Sequence, residues 1–163
     1  MYKFNFDKIL KELPNVRRDI LVKLSNQAER SFLSNFETQS FDGQQWDDVQ
    51  RRDPNKPAYK YPKSKGLSRR TNPILTGSGY SAGKGVTSRG GNLRKRVGLM
   101  SQTAQYIGNN QIKMTLQGAD YGIYINEGTN KMVKRQFVGQ TEKLTQKQKK
   151  TLNRIILKAF EAK

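Results

Sequence analysis

The chain has 163 residues, enough for one domain, and carries 31 Lys and Arg against 13 Asp and Glu for a net charge of +18. It contains no Cys and no His, which excludes thiol nucleophiles, thiolate or imidazole metal centres, disulfide frameworks and histidine-based triads. No stretch approaches the ~20 apolar residues of a membrane helix, and the opening residues lack a signal peptide's apolar region, so the product is expected to stay where it is made unless an assembly carries it elsewhere.

Apolar residues and charge are unevenly spread. Leu, Ile, Val and Phe number 36, of which residues 44–98 hold only 7. Those same residues carry a net +10, and residues 131–163 carry +8, whereas 1–43 and 99–130 carry +1 and −1. The pattern is a small core interrupted by a long segment that cannot build a core of its own. Such a field attracts polyanions, with nucleic acid the first candidate partner and an acidic protein the second.

Phe6, Ile9, Leu10 and Leu13 suit a short first helix that Pro14 ends or restarts. Val16, Ile20, Leu24, Ala28, Phe32 and Phe36 then recur every four residues, with Leu21 and Leu33 widening the stripe. That spacing predicts an amphipathic helix of roughly 20 residues. Asp42-Gly43 is a turn signal, because Gly accepts positive φ without steric penalty. Asp53–Asn72 has no periodicity and contains Pro54, Pro57 and Pro62. Fully extended, it would reach roughly 65–70 Å, against a radius of gyration near ~15 Å for a compact domain of this size.

A second open stretch, Gly77–Asn92, is rich in Gly. Leu93, Lys95 and Val97 give a weak alternation, and Tyr106 to Leu116 reads as a hairpin around Gly108-Asn109-Asn110, with Ile112, Met114 and Leu116 on one face. Ala119–Asn126 fits either a strand or a short helix. Thr145 and Gln148 have the spacing of a capping box, and Leu152, Ile155, Ile156, Ala159 and Phe160 line a last amphipathic helix. The expectation is a single α+β domain over 1–163: a small antiparallel sheet packed with long N-terminal and C-terminal helices, plus extended basic loops at about 53–72 and 78–92.

Motifs for catalysis fail on context. Gly77-Ser-Gly79-Tyr-Ser-Ala82 matches a relaxed dinucleotide fingerprint, but Pro73 precedes it, Gly83 and Gly85 spoil the following helix, and no acid lies in 93–102. Gly83-Lys84 lacks the first Gly and the Ser or Thr of a phosphate loop. Asp47-Asp48 with Asp53 could be a magnesium cluster, but reads better as a solvated helix start. No enzyme and no cofactor are expected. Candidate contacts to DNA or an acidic partner are Lys60, Lys63, Lys65, Arg69, Arg70, Arg94, Lys95 and Arg96, with Tyr59 and Tyr61 either stacking on single strands or anchoring the arm.

Four segments in order resemble the phage virion morphogenesis family, the tail completion or neck proteins. They are Asp42-Gly43-Gln-Gln-Trp46, then Pro73-Ile74-Leu75-Thr76-Gly77, then Ala119-Asp-Tyr121-Gly-Ile-Tyr124-Ile-Asn126-Glu127-Gly128-Thr129, and Met132-Val-Lys134-Arg135-Gln136-Phe137-Val138-Gly139. Asn126 or Tyr124 stands where that family commonly has His, Val133 replaces its usual Pro, and 78–92 looks like an insertion. The resemblance implies a non-enzymatic virion protein of the head–tail junction, made in the bacterial host cytoplasm. Its partners would be copies of itself in a ring, with arms lying on neighbours, and phage connector and tail proteins; packaged DNA, bound without sequence preference, is a further candidate, and a membrane is not. The alternative is a sequence-indifferent nucleic-acid-binding protein using the basic arms. Trp46 is expected to plug the core edge and Phe137 to anchor the last helix. Arg135 either pairs with Glu127 or makes a surface contact.

Overall fold

The computed structural model describes residues 6–60, 92–108, 111–130 and 132–161. Of the two expected arms, 61–72 and 78–91 lie outside these residues. The architecture is α+β. Helix α1 spans Phe6–Thr38, and a hairpin of β1 (Ser40–Phe41) and β2 (Gln44–Gln45) follows it. After a 3-10 turn at Gln50–Arg52 come the short helices α2 (Pro57–Lys60) and α3 (Asn92–Val97), then another 3-10 turn at Met100–Thr103. Strands β3 (Gln105–Ile107) and β4 (Gln111–Lys113) form the second hairpin, before α4 (Gly122–Glu127) and α5 (Glu142–Glu161). Where one small sheet was expected, the described strands form two separate two-stranded antiparallel sheets. No helix among the described residues is long and apolar enough to cross a membrane.

Pro14 lies inside α1 and does not end it. A proline there removes one N–H and frees the carbonyl four residues earlier, at Leu10. Residues 10–15 are all exposed, so water can satisfy that carbonyl and the helix runs through. The helix stops where Gln39 takes up left-handed backbone (φ 51). Asp42 (φ 50) and Gly43 (φ 84) then close the first hairpin, the primed geometry that two-residue hairpin turns favour.

The chain divides into two compact units. The first comprises Met1–Ser31, Leu99–Thr115 and Gln140–Lys163. Its buried side chains include Ser25 and Ala28 of α1, Met100, and Leu144 and Ile155 of α5. Gln27 of α1 donates through Nε2 to Thr151 Oγ1 at 2.6 Å, and Gln148 of α5 donates to the Leu24 carbonyl at 3.4 Å. The β3–β4 hairpin is held on α1 by Tyr106, whose hydroxyl donates to the Arg17 carbonyl at 2.6 Å. Its ring lies 5.0 Å from the Arg17 guanidinium carbon, within cation–π range. The expected alternation holds, with Ile112, Met114 and Leu116 half-buried and Gln111, Lys113 and Thr115 exposed.

The capping box expected at Thr145 is displaced by one turn. Thr141 Oγ1 accepts from Leu144 N at 3.2 Å, three residues on, which makes Thr141 the N-cap of α5. Thr145 sits inside the helix, where its hydroxyl donates back to the Thr141 carbonyl at 2.9 Å. Glu142 in the first turn adds a favourable charge at the positive end of the helix dipole.

The second unit comprises Phe32–Gly98 and Leu116–Gly139. Its core holds Phe32, Phe36, Trp46, Leu93, Val97, Ala119 and Phe137, of which Val97 is 0% exposed and Phe36 and Phe137 are each 1%. The alternation read at 93–97 is instead α3. Leu93 and Val97 are four apart, a spacing that suits one helix face as well as one strand face. Segment 119–126 resolves as a turn leading into α4. A Cβ at Gly122 would come within 2.7 Å of Leu116 Cδ2 and 3.0 Å of Leu93 Cδ1, so glycine lets α4 begin against these side chains.

Candidate functional site

In the second unit, an irregular segment between α4 and α5 is held mainly by side chains. Residues 133–138 belong to neither helix nor strand, yet Phe137 is fully buried, and buried backbone groups need partners. The partners come from α1, the end of the first hairpin and α4. Trp46 Nε1 donates to the Gln136 carbonyl at 2.8 Å. Asn126 Oδ1 accepts from Phe137 N and from Val138 N, both at 3.0 Å. Asn35 Nδ2 donates to the Phe137 carbonyl at 3.0 Å, and Arg135 N donates to the Ile125 carbonyl at 2.9 Å.

Aromatic packing runs through the same place. Phe36 meets Trp46 edge to face (centroids 5.9 Å, 81°) and Phe137 at a tilt (5.2 Å, 50°), both within the range where such pairs attract. Trp46 and Phe137 are both buried in the core of the second unit.

Arg135 makes no ion pair with Glu127 among the described residues. Its guanidinium forks onto backbone: Nε and Nη2 reach the Asp47 carbonyl at 3.2 and 3.1 Å, and Nη2 reaches the Asp48 carbonyl at 3.3 Å. Partial burial lowers the Arg135 pKa from its ordinary value, and the neighbouring Asp47 and Asp48 carboxylates oppose that shift. The planar five-donor guanidinium suits this task, since it can meet two carbonyls in one plane. The Asp48 carboxylate is likewise structural. Asp48 Oδ1 accepts from Val49 N at 2.7 Å and pairs with Arg52 at 2.9 Å, stabilising the 3-10 turn. Among the described residues no group of three or more acidic, His or Cys side chains could hold a metal ion.

The expected basic contacts are partly accounted for. Lys63, Lys65, Arg69 and Arg70 lie outside the described residues, as does Tyr61. Lys60 is exposed at the end of α2. The three cations of α3 diverge in role. Arg94 is tied to Glu37 at 2.7 Å, whereas Lys95 and Arg96 are exposed. Arg96 also runs along Gly118, where a Cβ would lie 3.1 Å from its Cζ.

A further cationic array was not singled out in the sequence. Lys143, Lys147, Lys150, Arg154 and Lys158 of α5 are all exposed. Their spacings of four, three, four and four residues place them on one helix face. The signal was present in the sequence but hidden by Lys149, which makes the charge look evenly spread around the helix.

Compared with known proteins, the chain matches no family model, no curated protein and no solved structure.

Proposed function

We propose that this chain is a structural, non-enzymatic subunit of the phage head–tail junction, a neck or tail completion protein that assembles as a ring between connector and tail and resides in the virion. The observation that carries the reading is the meeting of its motif segments in the second unit. Three of the four segments resembling the virion morphogenesis family are described, and they bind one another through backbone-directed hydrogen bonds, Trp46 to Gln136 and Asn126 to Phe137 and Val138, while Arg135 reaches Asp47 and Asp48 just past the first segment. The fourth, Pro73–Gly77, lies outside the described residues.

These motif side chains make architecture. Each donates to a carbonyl or accepts from an N–H, and none of these contacts presents a reactive group to a substrate. A subunit that must hold a fixed shape against identical neighbours needs such internal bracing. The genes flanking this one provide the test. Portal, connector and tail genes alongside are expected; a setting of replication or repair genes would overturn the reading.

A further inference from the structure

We propose that α5 carries a binding surface for the phosphate backbone of double-stranded DNA, formed by Lys143, Lys147, Lys150, Arg154 and Lys158. The inference rests on α5 and stands independently of the head–tail assignment. At 100° per residue the five side chains fall within an arc of roughly 80°, and from first to last they span roughly 22 Å of helix. The buried residues Leu144 and Ile155 occupy a different face, so docking α5 on its own unit leaves the cationic stripe free.

None of the five cations makes an ion pair among the described residues, although Lys23, Arg52 and Arg94 each have one elsewhere. The Glu142 carboxylate is engaged by Gln146 at 3.1 Å. Lys143 and Lys147, Lys150 and Arg154, and Arg154 and Lys158 are like-charged pairs four apart, an arrangement that disfavours an isolated helix. A polyanion relieves that repulsion.

The shape of the stripe favours DNA over the other polyanionic surfaces. A shallow concavity of about 440 Å³ is lined by Lys150, Asn153, Arg154, Leu157 and Lys158. There three cations surround the 57% exposed Leu157, pairing phosphate donors with apolar contact for a sugar. A strand of B-DNA presents one phosphate per ~3.4 Å of axis, so several come within reach of a stripe of roughly 22 Å as the strand winds past it. A membrane-surface helix would instead offer a broad apolar face to the lipid, and the Leu144 and Ile155 face of α5 is already buried. Nothing in a regular backbone stripe reads bases, so the contact is indifferent to sequence.

The test uses the full chain and a fluorescent 30-base-pair duplex, titrated at several salt concentrations. Binding should weaken linearly in log–log form, with about 0.9 of slope for each phosphate neutralised. The triple variant K147Q/K150Q/R154Q should reduce the slope by about 2.7, so that between 50 and 200 mM salt the parent loses about 40-fold more affinity than the variant. K147R/K150R should keep the parental slope, and two duplexes of unrelated sequence should bind alike. Should the triple variant lose helical circular dichroism, K150Q and R154Q measured singly should each remove about 0.9. An unchanged slope in folded variants overturns the proposal. So does binding to polyglutamate, or to vesicles one-third anionic lipid, without binding to duplex; either would reassign the stripe to an acidic protein or a membrane.

Discussion

Replacing Asn126 by Leu removes one oxygen on which two backbone N–H groups depend. Asn126 Oδ1 accepts from Phe137 N and Val138 N at 3.0 Å each. Phe137 is 1% exposed and Val138 half-buried. An orphaned buried donor costs about 1–3 kcal/mol, with the first of these groups near the top of that range and the second near the bottom. Leu fills a similar volume, so a cavity adds little, and the expected loss is about 3–4 kcal/mol. For a chain of this size that corresponds to a fall of roughly 10 °C in Tm. Asn126→Asp keeps an acceptor of the same reach and should remain within about 1 kcal/mol of the parent. Thermal and urea unfolding of the three proteins side by side would read the difference. If N126L melts within about 2 °C of the parent, or N126D is as damaged as N126L, the bracing of the 133–138 segment does not depend on that oxygen.

Three further substitutions test separate links. Trp46→Phe preserves most of the ring contact with Phe36 but removes the donor to the Gln136 carbonyl, and should cost about 1–2 kcal/mol by urea unfolding. Pro14→Ala restores a helical N–H within α1; it should raise helical circular dichroism and stabilise the protein by up to about 3 kcal/mol. Thr141→Ala deletes the N-cap of α5 and should cost about 1 kcal/mol, more than Thr145→Ala, which removes a hydroxyl that donates to the Thr141 carbonyl and accepts from the exposed Gln140. Equal losses at the two threonines would place the cap at the wrong residue.

What could be read in advance was whatever a single period decides. The four-residue spacing from Val16 to Phe36 marks the face of α1 whose later members, Ala28, Phe32 and Phe36, are buried. Alternation around Ile112 and Met114 gives the second hairpin, and Asp42-Gly43 gives the first. The sequence failed where two periods fit the same residues, as at Leu93 and Val97, or where solvent cancels a local penalty, as at Pro14. Thr141 escaped notice because Thr145 offered the fuller capping pattern. In the candidate site, Trp46 and Phe137 were legible as large apolar residues beside turns. The partners of Arg135 were not, because they are backbone carbonyls 87 and 88 residues away, and carbonyls carry no sequence signature. The α5 stripe was legible in principle from its spacing alone.

The most direct test of the proposed head–tail assignment is inactivation of this gene in its native genome, followed by electron microscopy of the particles released. The account predicts DNA-filled heads and complete tails that fail to join, with joining restored when the chain is supplied from a plasmid. Intact, infectious particles in normal numbers without this chain would contradict it.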